Sequence, residues 1–373
     1  MINDIRALYN KGQFEAAYAL LDNAVATHPD DLQLGRDVGV FIHEHAVFHK
    51  FKTAVSGLAA YLPSHPTDYD AYIAHAFTAW VSGLSNECVA SCTRAIALRH
   101  DGMLPYRILG VYYLNRQEYL PAFTSLAAGM LFCAPADKEA LRVFLMLAAA
   151  MLRDLPAFSF AFDGFNFTFK PTCFNAMAVE SSAAHLQSLL CEAEELRLIR
   201  AEAAGCRRIV ECGCLVGNHT LYFAKALRPE KIIVLDASTQ SLEQTRHNFS
   251  LNPDVADVTL DLRHRAISTE TGMIELLGYN VKAVVLDEEI QEPVDFIKID
   301  VDGMEMAALE GLRLTIGQYR PKIMIEVSNE FAEQFRRFIH EFNYVVRQQI
   351  VRGGDGNYLI SPAEGWRPLP ANS

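Results

Sequence analysis

Two apolar, strand-like segments in the middle of the chain enclose a glycine turn, and the second segment ends on an aspartate. The turn runs from Glu211 through Gly213 to Gly217, and the aspartate is Asp236. Glycine allows the backbone to turn sharply and leaves room for a ligand close to the main chain. A carboxylate at the end of the second strand can accept both hydroxyl protons of a ribose. The pattern therefore predicts an α/β fold with a nucleoside-binding pocket.

The spacing of the two glycines distinguishes between classes of nucleoside ligand. Three residues other than glycine separate Gly213 from Gly217. The turn therefore does not fit the G-x-G-x-x-G motif, which places a pyrophosphate at a helix N-terminus. S-adenosylmethionine has a ribose but no pyrophosphate, so it suits this turn better than a nicotinamide dinucleotide does.

From residue 207 onward, strand-like and helix-like segments alternate, which predicts βαβ units and a largely parallel sheet. The predicted strands are 207–212, 231–236, 257–261, 294–300, 321–327, 343–349 and 356–361. Ligands of open α/β sheets bind beyond the carboxyl ends of the strands. Four acids stand at such ends and are expected to face one crevice: Glu211, Asp236, Asp300 and Glu326.

The most distinctive segment reads V-D-F-I-K-I-D-V-D-G-M-E and runs from Val294 to Glu305. Together with the glycine turn, Asp236 and the P-K-I-M-I-E segment that ends at Glu326, it resembles the FkbM family of S-adenosylmethionine-dependent methyltransferases. The typical strand end of that family reads K-I-D-V-E-G-x-E. The resemblance covers about residues 178–361 and implies a Rossmann-like, seven-stranded methyltransferase domain.

The resemblance also implies two groups of site residues. Those expected around the cofactor are Glu211, Gly213, Gly217, Asp236, Ala266 and Ile267. Those expected where the methyl group meets its acceptor are Asp300, Asp302 and Glu305. The family commonly has Asp, Ala and Asn at 211, 214 and 215, where this chain has Glu, Cys and Leu. The family also has Glu where this chain has Asp236 and Asp302. The change at Leu215 removes a polar contact to the cofactor.

Methyl transfer places limited demands on protein side chains. The attack on a carbon activated by positive sulfur depends mainly on alignment, but an acceptor hydroxyl must also lose its proton to a nearby base. Asp300 is the first choice for this base and Glu305 the second. For Asp302 and Glu305 an alternative is helix capping, because acids suit the first turn of a helix. Lys298 shares a strand face with Asp300 and is a candidate partner for it.

The N-terminal part of the chain contains an internal repeat. The positions of Ala17, Ala24 and Pro29 have equivalents at Ala54, Tyr61 and Pro66, at Ala90, Ala97 and Gly102, and at Ala122, Gly129 and Ala134. The intervals of 37, 36 and 32 residues predict an all-α array that resembles tetratricopeptide repeats. In that family, the segments 10–14 and 115–119 would be the turns within two repeats. Such an array either presents a concave surface to a peptide or protein, or packs on the second domain or mediates dimerisation.

A phenylalanine-rich segment joins the two halves. Phe158 to Phe169 alternates with period two around Asp163-Gly164, which predicts a β-hairpin. Its phenylalanine face seals the interface between domains or forms an apolar wall for the substrate. The predicted domains are a helical repeat domain at 1–153, the hairpin linker or cap at 154–176 and the methyltransferase domain at 177–373. Residues 184–204 are predicted to form one amphipathic helix.

Composition excludes several classes of function. The net charge of −12, without a Lys/Arg cluster, argues against nucleic-acid binding. No apolar stretch reaches the ~18 residues of a membrane span, and the first residues lack the features of a secretory signal. The eight cysteines are scattered, which indicates a reducing, cytoplasmic location. No metal site is expected, and Cys212 and Cys214 are interpreted as apolar filler.

The sequence thus predicts a methyltransferase that uses S-adenosylmethionine to O-methylate a sugar or natural-product hydroxyl, with a small molecule or glycan as acceptor. One alternative is a peptide or protein methyltransferase whose repeats hold the substrate. A second is an interaction scaffold whose methyltransferase fold has lost activity. A homodimer is left open by the sequence.

Overall fold

The computed structural model describes residues 1–11, 13–45, 50–276, 278–301, 303–352 and 355–363. The chain divides into two compact units, and their boundaries differ from those of the predicted domains. The first unit joins Met1–Leu155 with Pro171–Gln187, and the second joins Pro156–Lys170 with the residues from 188 onward. The second segment of the first unit belongs there because Cys173, Val179 and Ala183 are buried in its core.

The first unit is entirely helical, and most of its helices pack in consecutive pairs. Asp31 and Asp68 cap the N-termini of two of them, and Pro135 begins another. The helices are α1 Ile2–Asn10, α2 Phe14–Thr27, α3 Leu32–Glu44, α4 Phe51–Tyr61, α5 Tyr69–Val81, α6 Ser85–Leu98, α7 Met103–Asn115, α8 Tyr119–Phe132, α9 Pro135–Leu152 and α10 Ala176–Leu186. The predicted turns fall between α1 and α2 and between α7 and α8, as expected.

The predicted register of the third repeat is wrong. Ala90 and Ala97 are exposed, whereas Cys88 and Ala95, seven residues apart on α6, are completely buried. The equivalent positions in α2, α4 and α8 are buried too. An alanine fits an exposed helix face as well as a close helix contact, so its identity alone did not fix the register.

The second unit is built on a seven-stranded sheet with the order β11-β12-β10-β9-β3-β4-β5. All seven strands were predicted, and β12 runs opposite to the other six, because it pairs antiparallel with both β10 and β11. Their bounds are β3 Arg208–Cys212, β4 Lys231–Asp236, β5 Thr259–His264, β9 Phe296–Ile299, β10 Lys322–Ser328, β11 Tyr344–Arg352 and β12 Asp355–Pro362.

Helices cover both faces of this sheet, as a parallel sheet requires. One face packs against α11, α12 and α13, and the other against α14 to α17. The bounds are α11 Ala193–Glu202, α12 Asn218–Ala226, α13 Thr239–Ser250, α14 Leu286–Glu289, α15 Glu305–Gly311, α16 Arg313–Tyr319 and α17 Ala332–Glu341. The predicted single helix at 184–204 is broken, because Ser188 and Glu192 adopt positive φ angles of 62° and 56°.

The phenylalanine hairpin forms as predicted, with β1 Phe158–Phe162 paired to β2 Phe165–Phe169. Asp163 and Gly164 have positive φ angles of 52° and 86°, as the tight turn requires. The apolar face of the hairpin is buried in the core of the second unit, where Phe167 stacks on Tyr222 with ring centroids 6.3 Å apart. Packing within this unit therefore accounts for the phenylalanines.

A small three-stranded sheet was missed by the sequence analysis. It lies between β5 and β9 in the chain and has the order β6-β8-β7. Its strands are β6 Ala266–Ile267, β7 Gly272–Leu276 and β8 Tyr279–Val284. Among the described helices of both units, none is long and apolar enough to cross a lipid bilayer.

Candidate active site

The register of the central strands brings the predicted acids into one row. The last residues of β4, β3, β9 and β10 that these four strands pair with one another are Leu235, Cys212, Ile299 and Ile325. The residues that follow them are Asp236, Gly213, Asp300 and Glu326. Side chains two residues apart on a strand share a face, so the three acids of this row lie on the same face as Glu211. The predicted strand-end acids therefore lie at adjacent positions along one edge of the sheet, and a shared crevice for them stays a prediction.

Gly213 is required by the protein's own backbone. Its φ is +85°, and a Cβ there would lie 1.9 Å from the carbonyl oxygen of Asp300. Its N–H donates to the Leu235 carbonyl at 2.9 Å. The sequence argument expected this glycine to make room for a ligand, whereas the nearest obstacle is the end of β9. The glycine thus allows the ends of β3 and β9 to approach each other.

Gly217 precedes the first residue of α12 in a left-handed conformation, with a φ of +77°. A Cβ there would lie 2.9 Å from Cγ2 of Thr245 on α13. The turn between the two glycines also contains Leu215, whose φ of +50° is unusual for a residue with a branched side chain. The turn is therefore tightly constrained at its C-terminal end and strained at Leu215.

Asp236 is held in place by the glycine turn and by its own loop. Its Oδ2 accepts the N–H of Cys214 at 2.9 Å, and its Oδ1 accepts the N–H of Ser238 at 2.7 Å. The side chain is half-buried. Oδ2 also accepts a weak hydrogen bond from the Cys214 thiol at 3.4 Å, which a stronger hydroxyl donor can replace, and Oδ1 keeps a free lone pair. The orientation of this carboxylate is fixed before any ligand arrives.

Glu211 is completely buried on β3. Its Oε2 accepts a hydrogen bond from the Thr220 hydroxyl, with 2.6 Å between the oxygens, while its Oε1 has no hydrogen-bond partner among the described residues. Burial raises the pKa of Glu211, and Lys298 and His219 oppose that shift. A buried carboxylate with one unsatisfied oxygen is uncommon in native proteins and is a candidate ligand contact.

Asp300 and Lys298 form the pair that the sequence suggested. The Lys298 Nζ lies 2.8 Å from Oδ2 of Asp300, and the lysine is buried while the aspartate is half-buried. Asp300 donates its backbone N–H to the Cys212 carbonyl at 3.0 Å, which fixes the residue at the end of β9. One oxygen of this carboxylate is thus used in an ion pair at the edge of the sheet.

Glu305 begins α15 and is buried, and its Oε1 accepts the N–H of Gly303 at 2.9 Å. That contact is local to the loop before α15, and it is not the helix cap that the sequence analysis kept open, because no side chain of the described residues caps this helix. Asp302, the third predicted reaction-centre residue, lies outside the described residues.

Ala266 and Ile267 form β6, and their side chains are buried in two different apolar clusters. The cluster of Ala266 includes Ala237, the residue after Asp236. Two residues that the sequence analysis missed bind the Ala237 carbonyl: His264 Nε2 at 2.9 Å and the Tyr279 hydroxyl at 2.8 Å. The position of His264 at the end of β5 was the available signal for it.

Two further groups near the turn have structural partners. His219, in the first turn of α12, is buried with its Nε2 3.1 Å from Oε2 of Glu192. Burial raises the pKa of Cys212 to about 12, and burial together with Asp236 and Glu211 raises that of Cys214. Both thiols therefore stay protonated, which agrees with their interpretation as core residues.

Comparison with known proteins supports the resemblance seen in the sequence. The family described as the methyltransferase FkbM domain matches residues 211–346, which include the glycine turn and all the predicted site residues. The match confirms the predicted family resemblance for this part of the chain and supports S-adenosylmethionine as the cofactor.

Similar solved structures include a methyltransferase FkbM from Methylobacillus flagellatus, 17% identical, covering 72% of this chain and 65% of that one, with a TM-score of 0.38. Another is an O-methyltransferase from Bacillus cereus, solved in complex with SAH. It is 21% identical and covers 45% of this chain and 78% of that one, with a TM-score of 0.31. A curated uracil phosphoribosyltransferase from Mesoplasma florum is 26% identical over 113 residues, which are 30% of this chain. The chain spans about half, 53%, of that relative's length.

Proposed function

We propose that this protein is an S-adenosylmethionine-dependent methyltransferase that methylates a hydroxyl group of a sugar or natural product. The observation that supports it best is the row of acids on one face of the sheet edge, within the segment that matches the FkbM domain. S-adenosylmethionine is a cation at its sulfonium and amino groups, so carboxylates favour its binding over that of an anionic nucleotide.

The proposed cofactor contacts follow from the fixed geometry of the turn. Asp236, already oriented by the N–H groups of Cys214 and Ser238, accepts hydrogen bonds from the two ribose hydroxyl groups. The Oε1 of Glu211, which has no partner among the described residues, accepts a hydrogen bond from the amino group of the methionine portion. The turn from Gly213 to Gly217 supplies the backbone that borders this portion of the cofactor.

In the proposed reaction, the acceptor oxygen attacks the methyl carbon while the carbon–sulfur bond breaks and its electron pair stays on sulfur. The sulfonium thereby becomes the neutral thioether of S-adenosylhomocysteine, and the hydroxyl proton moves to Asp300. We assign this base role to Asp300 rather than to Glu305, because Glu305 is buried and already accepts the Gly303 N–H. Asp302 stays a prediction.

The likeness to a phosphoribosyltransferase suggests a different group transfer, and the site argues against it. A phosphoribosyl donor is an anion, and the acidic row repels an anion unless cations intervene. Within the described part of the chain, no group of three or more His, Cys, Asp or Glu side chains could hold a metal ion. Methyl transfer from a cationic donor fits the charge of this edge better.

The test is calorimetric titration with S-adenosylmethionine and S-adenosylhomocysteine, followed by turnover with a panel of hydroxyl acceptors. Asp236→Ala should weaken cofactor affinity about ten- to a hundredfold, because it removes charged hydrogen bonds worth about 1.5–3 kcal/mol. Asp300→Asn should preserve affinity and lower kcat about 10²- to 10⁴-fold through loss of the base.

The thermal unfolding of each variant serves as the control, because Asp236 also orders the glycine turn. Equal loss of affinity and turnover in both variants would contradict the assigned roles. The absence of any binding heat with the wild-type protein, together with capture of a partner protein, would favour the inactive scaffold. Turnover with a peptide acceptor alone would favour a protein methyltransferase.

A further inference from the structure

Lys298 is a buried lysine at the acidic end of the sheet. Its side chain is only 7% exposed, and its Nζ lies 2.8 Å from Oδ2 of Asp300. The pairing of β3 with β9 sets Lys298 directly beside Glu211. Removing an ammonium group from water costs several kcal/mol unless partner charges and hydrogen bonds compensate. The lysine is therefore positioned between two carboxylates that both belong to the proposed site.

The surroundings of Lys298 keep it charged. Burial acts to lower the pKa of Lys298, but the carboxylates of Asp300, Glu192 and Glu211 together raise it above its ordinary value. His219 faces the same cluster from α12 and is paired with Glu192. Asp236, on the neighbouring strand, adds a further negative charge near Glu211. Lys298 is the group that balances this charge from within the sheet.

The ion pair also leaves one side of Asp300 available. Lys298 donates to Oδ2, while Oδ1 accepts no hydrogen bond from the described residues. The backbone of Asp300 is fixed by its bond to Cys212 and by the close approach of Gly213. A carboxylate held at one oxygen and at its backbone presents its second oxygen in a defined direction.

We propose that Lys298 is a positioning residue, which holds one oxygen of Asp300 so that the other faces the acceptor, and whose charge offsets the negative charge of the neighbouring Glu211. The inference rests on the proposed function, which assigns Glu211 to the cofactor and Asp300 to the acceptor. It adds a requirement that can be measured without knowing the acceptor, since a cationic cofactor binds better when Glu211 is ionised than when it is protonated.

The experiment compares the full-length wild-type protein with Lys298→Met by calorimetry with S-adenosylmethionine, in buffers of different ionisation enthalpy. The Lys298 ammonium group acts to lower the pKa of Glu211, so without it Glu211 retains its proton to higher pH and must release it when the cofactor binds. We expect up to about one additional proton released per cofactor in the variant near pH 6, with its affinity falling up to about tenfold per pH unit on acidification. The fall should begin at higher pH than in the wild type.

Two further variants separate this effect from damage to the fold. Lys298→Arg keeps a positive charge and should restore the wild-type proton count even if its affinity is lower. Glu211→Gln combined with Lys298→Met removes both buried charges, so it folds even if the single variant does not. Compared with Glu211→Gln alone, it should release no additional protons, because the carboxylate whose ionisation Lys298 supports is absent from both.

The outcomes distinguish the inference from the proposed function. No binding of S-adenosylmethionine to the wild-type protein would overturn the proposed function itself. The same proton count and pH dependence in the wild type and Lys298→Met would overturn the role of Lys298 alone, and so would additional protons released by the double variant relative to Glu211→Gln. A change in proton count that Lys298→Arg reverses would support it.

Discussion

The helical unit and the sheet unit each contain a network of charged side chains, and only one of the two networks is complete. In the helical unit, Asp68 accepts hydrogen bonds from Arg36 at 2.9 Å, from the Tyr61 hydroxyl at 3.1 Å and from the Ala71 N–H at 3.0 Å. Both of its oxygens are used, and the network joins α3, α4 and α5.

In the sheet unit, Glu211 is buried more deeply but is less well satisfied. One oxygen accepts the Thr220 hydroxyl, and the other has no hydrogen-bond partner among the described residues. Folding alone does not favour such an arrangement, because an unsatisfied buried polar group costs about 1–3 kcal/mol. The comparison teaches that the Asp68 carboxylate is fully used by the fold, whereas the Glu211 carboxylate is not, which makes Glu211 a candidate ligand contact.

The largest expected effect on stability is that of Asp68→Ala. The change removes the N-cap of α5 and the partner of Arg36, so we expect the free energy of unfolding of the helical unit to fall by about 2–3 kcal/mol. Cofactor affinity in the other unit should not change. Chemical denaturation and calorimetry with S-adenosylmethionine measure the two quantities.

The matched control is Asp37→Ala, which removes the Arg36 contact at 3.1 Å but no helix cap. A loss of less than about 1 kcal/mol is expected for this pair. An equal loss in both variants would show that the ion pair, rather than the cap and the network, accounts for the effect.

The same network predicts a pH dependence. Burial acts to raise the pKa of Asp68, but Arg36, the Ala71 N–H and the Tyr61 hydroxyl together lower it. A carboxyl group with a lowered folded-state pKa stabilises the protein at pH values above its unfolded-state pKa of about 3.9. This contribution is lost as the pH falls through the lower, folded-state pKa. Acid unfolding of Asp68→Ala should therefore lack this component below about pH 4.

The next effect, at Glu211, should have the opposite sign for stability. Burial raises the pKa of Glu211, so its ionised form opposes folding increasingly as the pH rises above about 4.3 through the folded-state value. Glu211→Gln removes this charge and should preserve stability or increase it by about 1 kcal/mol, while weakening cofactor affinity about tenfold.

Unfolding at several pH values, with cofactor titration of the same samples, tests this prediction. The control is Thr220→Val, which removes the donor to the satisfied oxygen and should lower stability instead. If Glu211→Gln lowers stability as Thr220→Val does, the unsatisfied oxygen is not a site reserved for a ligand.

The sequence was sufficient for the row of acids but not for the network behind it. The seven strands and the acids at their ends follow from apolar segments and glycine positions, which are local signals. The proximity of Lys298 to Glu211 depends on the order and register of two strands that are far apart in the chain. No local pattern specifies such a pairing.

The missed elements have a similar explanation. The strand β7 is exposed along its whole length, so it shows no alternation of apolar and polar residues that would indicate a buried face. The break before α11 depends on left-handed conformations at Ser188 and Glu192, residue types that do not usually mark such positions. In both places tertiary context, rather than the pattern of residues, determines the structure.

The smallest expected effect concerns strain at the sheet edge. Leu215 has a φ of +50°, a conformation that Asn adopts at lower cost than Leu, and the FkbM family commonly has Asn there. Leu215→Asn should therefore raise the free energy of unfolding by about 0.5–1 kcal/mol and strengthen cofactor binding by adding a polar contact. Leu215→Ala is the control, because it also removes the leucine side chain, but alanine does not share the tolerance of asparagine for positive φ. If the alanine variant gains as much stability as the asparagine variant, removal of the half-buried leucine side chain explains the gain. A gain in stability and affinity for asparagine alone would show that relief of the positive-φ strain and an added polar contact both improve this edge of the sheet.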